Sequence, residues 1–251
     1  MPGDVLDKSQ LISEVSYKKS SICAANNADW YSAMFRSHDI EQQRNPHMWM
    51  SRSKALSFHS NLVTLAKEPS DLVMASIFDL QSNLRKPWAL KDSFANLELK
   101  SLGFEILFDA SWIWRDATSQ APAAADGWTK IQSAEELRNW ELAWRHGQTA
   151  GAETQFRASL LQEPSVSIFG MCVEGVFTAG CIANASPTVT GLSNFFSIAP
   201  NTAANYAAAA AIAQSIAPAQ PLISIERGPL LACAESLGFE SVGQLRIWHN
   251  P

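Results

Sequence analysis

The sequence predicts an α+β fold with a mixed α/β sheet, laid out as two successive units of which the first is shortened. Three observations lead there. Residues 101–105 read Ser-Leu-Gly-Phe-Glu, and residues 236–240 read the same five letters. Two weaker matches precede that pair in the same order: Ser60–Leu65 with Ser193–Ile198, and Pro87–Leu90 with Pro221–Ser224. The three separations agree to within two residues. Each repeat also alternates short apolar runs with helix-like segments, as expected of a duplicated supersecondary unit.

The elements follow from local chemistry. In each unit an apolar strand comes first, Leu62–Leu65 and then Phe195–Ile198. A helix follows, Ser70–Leu84 and Thr202–Ile216, the second carrying the alanine run 207–211 with its high helix propensity. Pro87 and Pro221 end these helices and open a strand. A short helix is expected next, Ala95–Leu102 and Pro229–Leu237, with Gly103 and Gly238 at the left-handed position after it. The last strand of each unit ends on tryptophan, Trp112 and Trp114 in one and Trp248 in the other. An opening helix is expected over Ala28–Ser37 in the first unit. In the second, Ser133 and Glu136 form a capping box that starts a helix to about Trp144, with Leu137, Trp140 and Trp144 on one face. Val166–Met171, Val173–Ala183 and Thr188–Phe196 then read as a three-strand meander, with Glu174-Gly175 at one turn. Residues 117–126, small and containing Pro122, read as a linker, giving units at 1–118 and 127–251.

Composition removes several function classes. Hydrophobic residues make up 47% of the 251 and charged residues 17%, enough for a core and against disorder. The 19 Lys and Arg against 24 Asp and Glu give a net charge of -5, which argues against non-specific nucleic-acid binding. Cys23, Cys172, Cys181 and Cys233 form no CxxC pair and share no ligand spacing with the histidines, so no metal site is expected. No run of 18 apolar residues suggests a membrane span. Residues 1–17 are polar and unlike a signal peptide, so the expected location is cytoplasmic.

The order helix, antiparallel meander, strand, helix, strand, helix, strand over about Thr129–Pro251, closing on Leu231–Trp248 with its Gly-Phe, resembles the GNAT acyl-CoA N-acyltransferase fold. The first half resembles a shortened copy, and the whole is similar to tandem GNAT proteins. The resemblance implies acetyl-CoA or another acyl-CoA as co-substrate and a small-molecule amine as acceptor, with the chain a monomer or homodimer. In that fold the strand before the alanine-rich helix splays from the next strand. The cofactor pyrophosphate then sits on the helix N-terminus, where N–H groups lack helical partners and the dipole favours an anion. Carried onto this sequence, the cofactor-binding residues are Phe196, Ser197, Ile198, Thr202, Ala203, Ala204 and Asn205, with Asn201 or Thr202 as the cap. The family's Gln/Arg-x-x-Gly-x-Gly/Ala signature is absent from that loop. In the first copy Glu68 and Asp71 stand where phosphates would sit, so only the second half is a candidate for CoA. The tyrosine that many members carry four residues before the Gly of Gly-Phe is Ala234 here, and Leu99 in the first copy.

Two residues are candidates for catalysis. Glu226 ends the apolar strand Leu222–Ile225 at the edge of the expected cleft, as a base, or else paired with Arg227 or solvated. Asn194, repeated as Asn61, lies within an apolar strand, either touching ligand or stitching a bulge. His59, Cys181 and the cationic stretch around His47–Met50 are weaker candidates that read more simply as structural. Two readings remain: an acyl-CoA-dependent N-acetyltransferase, and an inactive GNAT-like ligand-binding or structural protein.

Overall fold

The computed structural model describes residues 8–68, 70–117, 127–146, 153–198 and 201–251. Most of the predicted linker, residues 118–126, lies outside them. The elements run α1 (Lys8–Ser37), β1 (Gln43–Arg44), β2 (Met48–Met50), β3 (Leu62–Thr64), α2 (Asp71–Asn83), β4 (Trp88–Asp92) and β5 (Glu105–Arg115). They continue with β6 (Trp128–Lys130), α3 (Ala134–Trp144), β7 (Val166–Val173), β8 (Val176–Ala185), β9 (Thr190–Ser197), α4 (Thr202–Ile216), β10 (Leu222–Glu226), α5 (Gly228–Ser236) and β11 (Glu240–Asn250).

All eleven strands join one mixed sheet in the order β1-β2-β3-β4-β11-β5-β10-β9-β8-β7-β6. The two closing strands are interleaved. β11 pairs antiparallel with β4 through Trp248↔Leu90, and β5 pairs antiparallel with β10 through Ile225↔Trp112. β5 and β11 also pair with each other at the centre, so the last strand of each repeat sits inside the other's half of the sheet. Helices cover both faces. α1 and α3 pack one face around Trp49, Trp140, Phe156 and Phe196, with Cys23 and Ala24 of α1 against Trp112 and Leu245. α4 and α5 pack the other around Tyr206, Leu192 and Phe239, and α2 packs Leu62, Leu90 and Trp248.

Local rules account for most boundaries. Ser70 Oγ accepts from Val73 N and starts α2. The Ser133–Glu136 capping box is present at α3. Gly103 and Gly238 both take the left-handed conformation, at φ 85 and 84. The Glu174-Gly175 turn has positive φ at both residues and joins β7 to β8, so Glu174 is a hairpin tip.

Three expectations need correction. α1 begins near Lys8 rather than Ala28; its first half carries no clear apolar stripe, and Ser20, Cys23 and Ala24, with Ile22 beside them, pack it on the central strands. The predicted helix over Ala95–Leu102 is only a 3-10 turn at Lys100–Leu102. Leu97 N and Phe94 N bond the Asp92 carboxylate instead of helical carbonyls, and Ala95 sits at φ 51. At α4 neither Asn201 nor Thr202 provides a side-chain cap.

Candidate functional site

The site begins where two parallel strands part. β9 and β10 pair only at Thr190↔Leu222 and Gly191↔Ile223, leaving the rest of both strands open to a cleft. At that last pairing, Asn26 of α1 and Asn184 of β8 exchange amide hydrogen bonds across Gly191: Asn184 Nδ2 lies 2.9 Å from Asn26 Oδ1, and Asn26 Nδ2 lies 3.2 Å from Asn184 O. A Cβ on Gly191 would stand 2.2 Å from Asn26 Oδ1, so only glycine allows this approach.

A bulge lies further along β9. The register against β8 runs Ile182↔Ser193 and then Gly180↔Phe196, which leaves Asn194 and Phe195 against the single residue Cys181. Asn194 adopts φ 51. The extra residue resets the alternation of faces: Phe195 packs edge-on against Tyr206 of α4, while Phe196 packs against Trp140 of α3. Its repeat partner Asn61 differs, being buried and donating to Ser51 O (3.0 Å) and Ser53 O (2.7 Å).

The main cleft, about 1240 Å³, is lined by Phe196, Ser197 and Thr202, by Ile225–Leu230, by Trp144–His146, and by Phe58, Phe108, Asp109, Ala110 and Phe195. Of the residues carried over for the cofactor, Phe196, Ser197 and Thr202 therefore line it. Ile198, Ala203 and Ala204 are exposed and outside its lining. Asn205 is buried and donates to Ser197 Oγ at 2.8 Å, so it braces the strand end rather than offering its amide outward. The first bond of α4 runs from Asn205 N to Asn201 O, 2.9 Å. The N–H groups of Thr202, Ala203 and Ala204 thus have no partner within the helix, and no acid occupies the first turn. Small side chains, and donors without a partner among the described residues, fit a pyrophosphate at a helix N-terminus. Across the cleft, the Arg227 guanidinium lies 4.3 Å from the Phe108 ring centroid and has no carboxylate within 4.0 Å among the described residues.

Glu226 forms part of the cleft wall and is neither paired with Arg227 nor solvated. It is 8% exposed, and its Oε1 accepts from Tyr206 Oη (2.8 Å) and Ser224 Oγ (2.9 Å). Burial raises its pKa above the usual carboxylate range, and the two hydroxyl donors only partly offset this. Burial and the neighbouring Glu226 raise the Tyr206 phenol still more strongly, so it remains a donor. Sequence reading missed this partner. The signal was faint: one large polar ring in an alanine-rich helix, on the face turned to the sheet.

A second cavity of about 360 Å³ shares Glu226, Phe195 and Ile225 with the cleft and reaches α1 through Asn26, Asn27, Trp30 and Tyr31; Asn194 also lines it. A third, about 330 Å³, lies under Phe58, His59, Phe108, Leu245 and Ile247. Phe58 borders all three. It is 82% exposed and held at φ 62, a conformation uncommon for a bulky residue. The flanking Ser57 O accepts from Gln155 Nε2 (2.8 Å) and His59 Nδ1 (3.0 Å). The His59 imidazole is buried, which lowers its pKa to about 4 and keeps it neutral. Cys181 is fully buried, and burial raises its thiol pKa, so it is a core residue. Trp49 at the centre of the His47–Met50 stretch is buried, and Arg44 and Arg52 pair with Asp29 and Asp79. Among the described residues no group of three or more His, Cys, Asp or Glu could hold a metal, and no helix is long and apolar enough to cross a membrane.

Splayed parallel strands, a bulge opposite the splay and an open helix N-terminus on a seven-element αβ order define the GNAT acyltransferase fold. Solved structures agree. A GCN5-related N-acetyltransferase from Kribbella flavida is similar with a TM-score of 0.56 at 15% identity, covering 89% of this chain and 95% of that one. A GNAT-family protein from Novosphingobium aromaticivorans gives 0.54 at 11% identity, covering 87% and 95%. A conserved protein of unknown function from Staphylococcus epidermidis gives 0.57 at 8% identity, covering 84% and 94%. No protein-family model matches the chain, and no curated protein matches it.

Proposed function

We propose that this protein is an acyl-CoA-dependent N-acyltransferase built of two units, 1–118 and 127–251, whose chemistry resides in the cleft between β9 and β10. The observation that carries this reading is Glu226, a buried carboxylate held by two hydroxyl donors in the wall of a cleft that also borders the open first turn of α4. Bound acyl-CoA supplies an activated thioester. Thr202, Ala203 and Ala204 would hold its phosphates through their N–H groups, with Arg227 opposite. The remaining steps belong to the chain. Glu226 takes a proton from the acceptor amine, its raised pKa bringing it nearer the operating pH. Tyr206 and Ser224 fix the carboxylate's orientation and are positioning residues. Backbone at the Asn194 bulge, unpaired with β8, is available to donate to the developing oxyanion. The acceptor approaches from the cavity under α1, and the fold supplies proximity more than covalent chemistry.

Calorimetric titration with acetyl-CoA and with CoA tests this. Binding tighter than about 100 μM is expected, with a rise in melting temperature at millimolar ligand. Thr202→Glu should abolish it while keeping the fold, because an acid in a first turn favours the helix but repels phosphate. Absence of binding by both ligands overturns the proposal and leaves the reading of a GNAT-fold protein without chemistry.

A further inference from the structure

Lys91 is a buried cation with no counter-ion among the described residues. It sits on β4, is 7% exposed, and borders both smaller cavities. Its Nζ donates to Asn27 Oδ1 at 2.8 Å and lies 4.9 Å from the Tyr31 ring centroid and 6.0 Å from that of Trp112. An ammonium carries three donors, and the structure gives it one acceptor and two ring faces. Among the described residues no carboxylate lies within 4.0 Å of it. Such burial is costly, and lysine is rarely buried unpaired. The fold does not require it: the equivalent position in the second repeat, set by Pro87 and Pro221, is Ile225.

We infer that Lys91 is a binding residue for the acceptor, and that the acceptor is an amine bearing a carboxylate several bonds from the amine nitrogen. This rests on the acyltransferase reading above. A lone cation matches a singly charged carboxylate; Lys91 is the one Lys or Arg among the residues that line the 360 Å³ cavity, so a phosphate dianion would leave charge unmatched there. The separation follows from topology. β11 and β5 lie between β4 and β10, so three strand spacings of about 4.8 Å separate the backbones that carry Lys91 and Glu226. The 360 Å³ cavity is bordered by both residues, so one elongated ligand can present its carboxylate to Lys91 and its amine toward Glu226.

The test is calorimetry without acyl-CoA, using 6-aminohexanoate and hexylamine as probes. Wild type should bind 6-aminohexanoate at least tenfold more tightly than hexylamine. Lys91→Gln should erase that preference, and Lys91→Arg should retain part of it. Lys91→Ile, the residue the second repeat already holds there, serves if Lys91→Gln does not fold. Equal affinity of the two probes for wild type, or an unchanged preference in Lys91→Gln or Lys91→Ile, overturns the inference. Failure of acetyl-CoA to bind is read separately: it removes the acyltransferase reading without touching the carboxylate preference.

Discussion

The two repeats treat equivalent positions in opposite ways. In the first, several polar groups at the strand–helix–strand junction are closed by local partners. Ser70 caps α2, Asp71 occupies its first turn, Asn61 bonds two carbonyls, and Asp92 accepts from Leu97 N (2.8 Å) and Phe94 N (3.3 Å). In the second, α4 has no side-chain cap, Asn194 stands on a bulge, and Glu226 borders a cleft. The same scaffold spends its polar residues on stability in one place and leaves them available in the other. The proposed chemistry rests on that contrast more than on the fold.

The sharpest way to break the contrast is to neutralise the matched carboxylates. Glu226→Gln keeps hydrogen-bonding capacity toward Tyr206 and Ser224, so its melting temperature should hold while kcat/KM falls about 100-fold or more. Asp92→Ala should do the reverse, costing about 1–3 kcal/mol in denaturant unfolding by stranding buried N–H groups, with little direct effect on the chemical step. The pH profile sharpens this further. Because burial raises the Glu226 pKa, the base form grows in with rising pH through a value above the ordinary carboxylate range, and kcat/KM should rise with it; Glu226→Gln should flatten that limb.

His59 gives a stability effect of similar size. Its folded pKa of about 4 lies below the ordinary value of 6.5. The unfolded chain therefore binds the extra proton, and stability falls as pH drops from about 6.5 to about 4, by up to about 3 kcal/mol. Between pH 7 and pH 4.5, wild type should lose more stability in urea unfolding than His59→Gln, which lacks the titrating imidazole. The smallest effect is expected at the helix starts. Ser70→Ala should cost about 1 kcal/mol in thermal or urea unfolding and leave acetyl-CoA affinity unchanged, since α2 is a capped structural helix.

Legibility tracked how local the determinants were. α4 matched its predicted limits, Thr202–Ile216, because propensity and flanking prolines act within a few residues. The β-meander, both αL glycines and the α3 capping box were legible for the same reason. The length of α1 was not, since its first half has no stripe to read and the helix packs on β11 and β5, which are distant in sequence. The Tyr206–Glu226 pair joins a helix to a strand 20 residues away and left no spacing to read. No local pattern marks Lys91; its surroundings come from α1, which lies over the sheet and brings Asn27 and Tyr31 to it. Likewise the candidate cofactor loop followed from the resemblance to the GNAT fold, but which of its residues face the cleft depended on how far β9 and β10 diverge.

The interleaved closing strands have a consequence for biosynthesis. A ribosome releases β4 and β5 well before β10 and β11 exist, so the first repeat emerges with one edge of β4 and both edges of β5 unpaired until later sequence covers them. Its part of the sheet stays open until β10 and β11 have been made, and pairings across more than a hundred residues, such as Leu90 with Trp248, have to wait for them. The chain therefore resists being cut into independently expressed halves. A nascent fragment ending at the linker is the species a chaperone would meet, and two such fragments could satisfy one another's edges before the proper partner strand arrives.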